Sequence, residues 1–262
     1  MDICSMDIMI LGVRVDKINL SELRERCRAW LTNDAQAKQC VRVVTVNPEF
    51  VIEAQKNAKF REVLNTADCS IADGIGLFFA SWLLYGLRSR LFRVTGVEFT
   101  WLLAELCSQL GKKIYLLGAG PGVAQKAAEV LKKKYPSLRI VGSHEGIPYI
   151  VTQGSKLFQE DLCRRITEAE PDVLLVAFGA PKQDIWIAEH ASLLPTVKIA
   201  VGVGGTFDYI AGIVPYAPQW IRDIGFEWTY RLMTQPHRWR RIITAVIVFP
   251  LAIIKEKITR KK

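Results

Sequence analysis

Residues 171–186, PDVLLVAFGAPKQDIW, most narrowly constrain what this chain can fold into. Val173–Ala177 is an unbroken apolar run between turn signals, which reads as a strand buried on both faces of a parallel sheet. Gly179-Ala180-Pro181 breaks the strand, and Pro181 suits the first turn of a helix. Lys182, Gln183 and Asp184 then crowd a helix N-terminus at the carboxyl end of a strand, where open α/β sheets bind ligands. The loop is either a solvated βα turn or a recognition loop. Three different polar side chains directly behind Gly-Ala-Pro favour recognition.

The same pattern recurs along the chain. Val41–Val46 reads as a strand running into Thr45-Val46-Asn47-Pro48, with Pro48 opening a helix over 49–56. Cys69–Ala72 ends in Asp73-Gly74-Ile75-Gly76, 113–117 in Gly118-Ala119-Gly120-Pro121-Gly122, and 197–201 in the run from Gly202 to Asp208. Residues 8–15 read as one or two short strands and 139–142 as another. Helical periodicity marks 20–31 (capped by Asn19 or Ser21), Ala58–Asn65, 77–84, Gly96–Leu110, 123–135, 155–169 and a segment from Pro181 to near His190. The basic stretch 88–93 looks exposed. Strands separated by helices throughout imply an α/β fold with a Rossmann-like, mostly parallel sheet covered by helices on both faces.

Charge divides the chain. Residues 214–262 hold ten Lys/Arg against three Asp/Glu, so they carry most of the net +9. There Tyr216, Trp220, Trp228, Tyr230 and Trp239 alternate with arginines, ahead of an apolar run at 242–254 and a basic end. That run is 13 residues, roughly 20 Å as helix, short of the roughly 30 Å hydrocarbon core of a bilayer. Aromatics and arginines beside a short apolar segment suit an interfacial anchor on an anionic membrane surface, although a last core helix docked on the sheet would share the apolar run. Base stacking could use the same rings, but an uninterrupted apolar run does not suit nucleic acid. The expected division is a core, 1–213, and a C-terminal helical, basic and aromatic appendage, 214–262.

Six cysteines without a C-x-x-C pair read as reduced core residues of a cytoplasmic protein. Two acids near the start, in MDICSMD, argue against an export signal. Three scattered histidines lack ligand spacing, and no Asp-x-Asp pair occurs for a nucleotide-bound divalent metal. No metal and no cofactor is therefore expected, and any diphosphate needs arginines or amides.

Gly118 to Gly122 form G-x-G-x-G, an imperfect dinucleotide fingerprint whose amides could cradle a phosphate or simply pack tightly. Asp73 stands between an apolar strand and two glycines: burial would raise its pKa as a general base needs, yet Asp also caps helices. Thr45 and Asn47 face the same choice, with capping slightly favoured on spacing alone.

Thr45-Val46-Asn47-Pro48-Glu49, Ala72-Asp73-Gly74-Ile75-Gly76, Arg93-Val94-Thr95-Gly96, Tyr115-Leu116-Leu117-Gly118, the run from Gly179 to Trp186 and the run from Gly202 to Asp208 together resemble the WecG/TagA/CpsF glycosyltransferase family, in order over 8–241. The resemblance implies an inverting, metal-independent enzyme that moves a sugar, N-acetylmannosamine in the teichoic-acid branch, from a UDP-sugar to undecaprenyl-diphosphate-linked N-acetylglucosamine in cell-wall or surface-polysaccharide synthesis. It implies Asp73 as catalytic base with Thr45 beside the reacting sugar, and Asn47, Gln183, Lys182, Gly118 and Asp208 as substrate contacts. Arg231, Arg238 and Arg241 would close over the site and meet the diphosphate. The implied place is peripheral, on the inner face of the cell membrane, with self-association into a homo-oligomer compatible with it. Three departures from the family pattern are Asp184 in place of Glu, Ile147-Pro148 in place of Tyr-Phe, and a longer apolar extension at 242–254, which points to firmer membrane attachment. Two other readings remain: an NAD(P)-dependent oxidoreductase using the Gly118–Gly122 turn, and a non-catalytic membrane-surface binding module.

Overall fold

The computed structural model describes residues 7–33, 40–86, 89, 91–145, 156–223 and 225–260. Cys4, Arg88, the Ile147-Pro148 loop, Ser155 and the final Lys261-Lys262 lie outside them.

Eight strands are present among the described residues: β1 (Ile8–Ile10), β2 (Val13–Val15), β3 (Val41–Val46), β4 (Cys69–Ala72), β5 (Lys113–Gly118), β6 (Arg139–His144), β7 (Val173–Ala177) and β8 (Ile199–Gly202). The first two form a small antiparallel hairpin. The other six form one all-parallel sheet in the order β4-β3-β8-β7-β5-β6. Each central strand is apolar on both faces because each face has its own core. Val43 points into a cluster with Leu103, Cys107 and Phe207, while Val44 and Val46 point into one with Phe50, Phe60 and Leu77. Alternating residues pointing to opposite faces and both finding apolar partners is what an unbroken Val/Ile/Leu run requires.

Register places the corners together. Val46 pairs with Ala72, Val176 with Gly202 and Gly118 with Ala177, so the strand ends form one edge. The connections after β5 and β7 leave in opposite directions, to β6 and β8.

Helix boundaries follow local chemistry. Asn19 and Thr95 cap Leu20–Thr32 and Gly96–Leu110 with reciprocal capping boxes to Glu22 and Glu98. Gly111 ends the second of these in a left-handed conformation at φ 67°. Pro181 sits one position earlier than expected, as the cap of Lys182–His190. Cys27, Cys69, Cys107 and Cys163 are buried and unpaired, and Cys40 is half-buried.

After β8 the chain forms short helices and then Phe249–Arg260. Phe249 and Ile253 are fully buried in the cluster that holds Val46, Phe50 and Leu77. The last helix therefore docks on the core through one face, and its Ile254, Ile258 and Leu251 remain exposed. Among the described residues no helix is long and apolar enough to cross a membrane.

Candidate active site

A polar cleft of about 230 Å³ lies over the carboxyl ends of the strands, walled by Thr45, Asn47, Asp73, Gln183, Asp208 and Arg238 among others. A larger cavity, about 620 Å³, sits at the opposite ends of the strands beside Trp30, Val41, Lys113 and Asp172. It gathers none of the strand-end corners.

Asp73 continues the main chain of β4, its amide donating to the Val46 carbonyl at 2.7 Å. Its side chain does not cap the next helix, Gly76–Tyr85, which has no side-chain cap at all. It turns instead toward the start of Gly96–Leu110, where the Gly96 amide lies 3.5 Å from Oδ2. Burial pushes Asp73 up to about 6, against the pull of Arg231, Arg93 and the Gly96 amide and with the help of Glu227. A carboxyl held near that value releases and takes protons close to neutrality, which is what a general base does.

Thr45 is buried, and its hydroxyl donates to the Gly202 carbonyl at 3.0 Å, strapping β3 to β8 under the cleft. Asn47 caps Pro48–Lys56, accepting from the Phe50 amide at 3.0 Å, and also lines the cleft. The capping reading and the pocket reading are thus both true of it.

Gln183 is almost fully buried. Its carbonyl oxygen accepts from the Gly204 amide at 2.9 Å and the Gly179 amide at 3.2 Å, so it clasps the loops after β7 and β8. Asp184 lies beneath Gly202, where an added Cβ would come within 2.6 Å of its Oδ1. Burial raises this carboxyl to about 7, with Gln183 opposing. It lies outside the cleft lining.

Two expected contacts are placed elsewhere. Lys182 points to solvent, because the first turn of its helix turns Gln183 and Asp184 inward and leaves position 182 on the outer side. Gly118 is a packing glycine: at φ 109° its added Cβ would lie 2.7 Å from the Ala177 carbonyl carbon. Neither lines the cleft.

The segment after residue 214 supplies the opposite wall. Arg231, Arg238 and Arg241 all line the cleft. Glu227 pairs with both Arg231 and Arg93. Burial alone would raise Glu227, but the two guanidiniums outweigh it and keep the carboxyl below its ordinary range. Arg241 pairs with Glu49. Arg238 leans over Gly205, where a Cβ would meet its Nη2 at 3.2 Å and Asp208 Oδ2 at 3.7 Å. Burial and the neighbouring Arg241 lower the Arg238 pKa, and burial raises that of Asp208. A cluster of partly desolvated guanidiniums is a receptor for a dianionic group.

Some of this was not apparent from residue patterns. Arg93, expected in an exposed basic stretch, is three-quarters covered and joins the core to Glu227. Tyr209 and Tyr216 line the cleft with ring centroids 5.3 Å apart, and Arg222 covers Tyr216. Both tyrosines follow β8: Tyr209 carries no signal beyond its place next to Asp208, and the sequence pattern counts Tyr216 among the membrane-facing aromatics of the appendage. The aromatic set of the appendage also divides: Tyr216 enters the cleft, while Trp220 and Trp239 are 65% and 49% exposed.

The sequence profile of the Glycosyl transferase WecG/TagA/CpsF family matches residues 8–262. The chain is 33% identical over 216 residues to a Bacillus spizizenii protein named N-acetylglucosaminyldiphosphoundecaprenol N-acetyl-beta-D-mannosaminyltransferase, covering 82% of this chain and 79% of that one. Relatives of the same name in Bacillus subtilis and Staphylococcus aureus are 31% identical over 220 residues and 30% identical over 256. The Staphylococcus aureus alignment covers 97% of this chain and 94% of its relative.

Proposed function

The chain belongs to the WecG/TagA/CpsF glycosyltransferase family, and from that premise we propose that it moves N-acetylmannosamine from a UDP-sugar to undecaprenyl-diphosphate-linked N-acetylglucosamine, inverting the anomeric centre. The names of its relatives support the acceptor and the transferred sugar. The observation that carries the chemistry is Asp73, a shielded carboxyl raised to about 6 and facing arginines across the cleft.

In this reading the acceptor hydroxyl oxygen bonds to the anomeric carbon from the face opposite the nucleotide. The bond from that carbon to the diphosphate breaks, and UDP leaves with the electron pair. Asp73 takes the hydroxyl proton. Arg238, Arg231 and Arg241 balance the charge gathering on the leaving diphosphate, so the reaction proceeds without a metal ion. Thr45 and Asn47 hold the reacting sugar, and Asp208 with Arg238 holds the nucleotide side. Gln183 acts by keeping the two flanking loops in register.

The core, 1–213, thus carries the base, and the appendage, 214–262, carries the cations. In this reading the enzyme is peripheral on the inner face of the cell membrane, and the exposed Trp220, Trp239, Leu251 and Ile258 support it as groups suited to an anionic membrane surface.

Purified protein is offered a panel of nucleotide sugars and a synthetic N-acetylglucosamine-diphosphate-lipid. Transfer from UDP-N-acetylmannosamine, undiminished by EDTA, is the expected result. Tight NAD(H) binding with no UDP binding and no transfer from any donor would overturn the reading in favour of hydride chemistry.

A further inference from the structure

A second cavity, about 320 Å³, lies on the other side of Asp73 from the polar cleft. Asn47, Asp73 and Arg231 line both. The character of the second is different. Pro48, Ile75 and Phe79 from the core and Ile242, Val246 and Pro250 from the appendage give it an apolar side, with Glu49 and Glu227 also in its wall. The appendage side straddles a π-helical turn, Thr244–Val248, between two α-helices that carry Ile242 and Pro250. Such turns interrupt the regular ladder and recur at functional sites. Here the turn brings Ala245 and Val246 to the groove.

Ile75 and Phe79 line the groove and are also 49% and 40% exposed. On the same helix, Gly76–Tyr85, Trp82 is exposed, and across the groove so are Ile247 and Leu251. Both banks are therefore apolar on the outside as well as the inside. Apolar patches on two separate elements flanking one groove mark a contact surface for a ligand, a protein or a membrane, and the lipid acceptor named for the relatives supplies an apolar occupant of that kind. At the inner end Arg93 and Arg231 stand beside Asp73, both paired with Glu227, which lines the groove with them, so a charged cluster meets the apolar channel at the catalytic carboxylate.

We infer that this groove holds the first prenyl units of the lipid acceptor, with its diphosphate beside Arg93 and Arg231 and its sugar hydroxyl delivered to Asp73 from the side opposite the nucleotide sugar. The inference rests on the transferase reading and adds the division of labour between the two cavities. It also extends the membrane-facing surface to a core helix, Gly76–Tyr85, which charge counting assigned to the appendage alone. Two cavities that share one base let the acceptor and the nucleotide sugar reach that base by separate entries. The volume admits only the proximal end of a long chain, and the remainder stays in the bilayer.

The test uses full-length protein and two acceptors with the same N-acetylglucosamine-diphosphate head, one on a single prenyl unit and one on a long prenyl chain. For the unmodified chain, the KM for the long acceptor should be lower by about tenfold or more, since each buried methylene contributes. Ala245→Trp fills the groove and should erase that preference by raising the long-chain KM, while UDP binding measured on the same preparation reports that the variant is folded. A prenyl diphosphate carrying a diazirine on its first unit should label peptides containing Ala245 or Phe79, and unlabelled long-chain acceptor should suppress the labelling. Equal KM values for the two acceptors, a preference that survives Ala245→Trp, or labelling confined to other peptides would overturn the inference. So would sedimentation showing that a second copy of the chain covers the groove. If neither acceptor is glycosylated from any donor, the transferase reading fails, and the photolabelling still decides whether the groove takes a prenyl chain.

Discussion

The core wall of the cleft stands on main-chain hydrogen bonds and buried contacts, whereas the facing wall belongs to an appendage docked through Phe249 and Ile253 and presents arginines that are held by ion pairs. Thr45, Gln183 and Asp184 are nearly inaccessible, and Thr45 and Gln183 are each tied to backbone atoms of a neighbouring strand or loop. Arg231 and Arg241 are held by Glu227 and Glu49 and keep 38% and 49% of their side chains exposed. Hydrogen bonds inside a packed sheet hold position whatever the solvent. Ion pairs at a partly wet seam weaken with salt. The base is therefore placed by the wall that salt leaves unchanged, and the cations by the wall whose ion pairs salt weakens.

Removing the base should have the largest effect. Asp73→Asn is expected to lower kcat by about 10²- to 10⁴-fold, the usual worth of a positioned general base, with a melting transition at neutral pH that is raised, since the buried carboxylate costs stability above its unfolded pKa. The pH profile gives a second reading. The carboxylate is the active form, so activity should climb as pH rises through about 6, level off above it, and lose that limb in the Asn variant. An undiminished rate in a folded variant would move the base elsewhere.

Next comes the appendage wall. Arg238→Ala should cost about 10²- to 10³-fold in kcat, comparable to deleting one donor from a preorganised anion site, and leave thermal stability nearly unchanged. A variant with normal kcat would show that the appendage does not supply the leaving-group charge.

The smallest effect belongs to the core wall and should appear as stability before activity. An added Cβ at Gly202 would meet Gln183 Nε2 at 2.5 Å and Asp184 Oδ1 at 2.6 Å. Gly202→Ala should therefore cost about 1–3 kcal/mol in urea unfolding, as overpacking does. An unaltered midpoint would mean that this wall yields as easily as the other.

Much of the fold was legible because its signals are local. Val173–Ala177, Val41–Val46 and Cys69–Ala72 are short apolar runs ended by Gly, Pro or Asp, and they are strands at those bounds. Asn47 and Thr95 cap helices because their side chains reach an amide three residues on. The site was legible to the extent that it sits on those corners. Lys182 and Gly118 sit on such corners too, yet one faces solvent and the other backs onto Ala177. A one-residue rotation on a helix, or the pairing of two strands, decides between contact and packing, and a run of residue types carries neither.

By itself the sequence determined the parallel sheet, the strand-end placement of Asp73, Thr45, Asn47 and Gln183, and the basic aromatic character of the last 49 residues. Period and composition act over a few residues and need no partner. Only the tertiary structure decided that Arg93 meets Glu227 across 134 positions, that Phe249 completes a core begun at Ile8, and that Asp73 stands between a polar and an apolar cavity. Each of these depends on the packing of elements distant in the chain, where burial and charge pairing, rather than local propensity, select the arrangement.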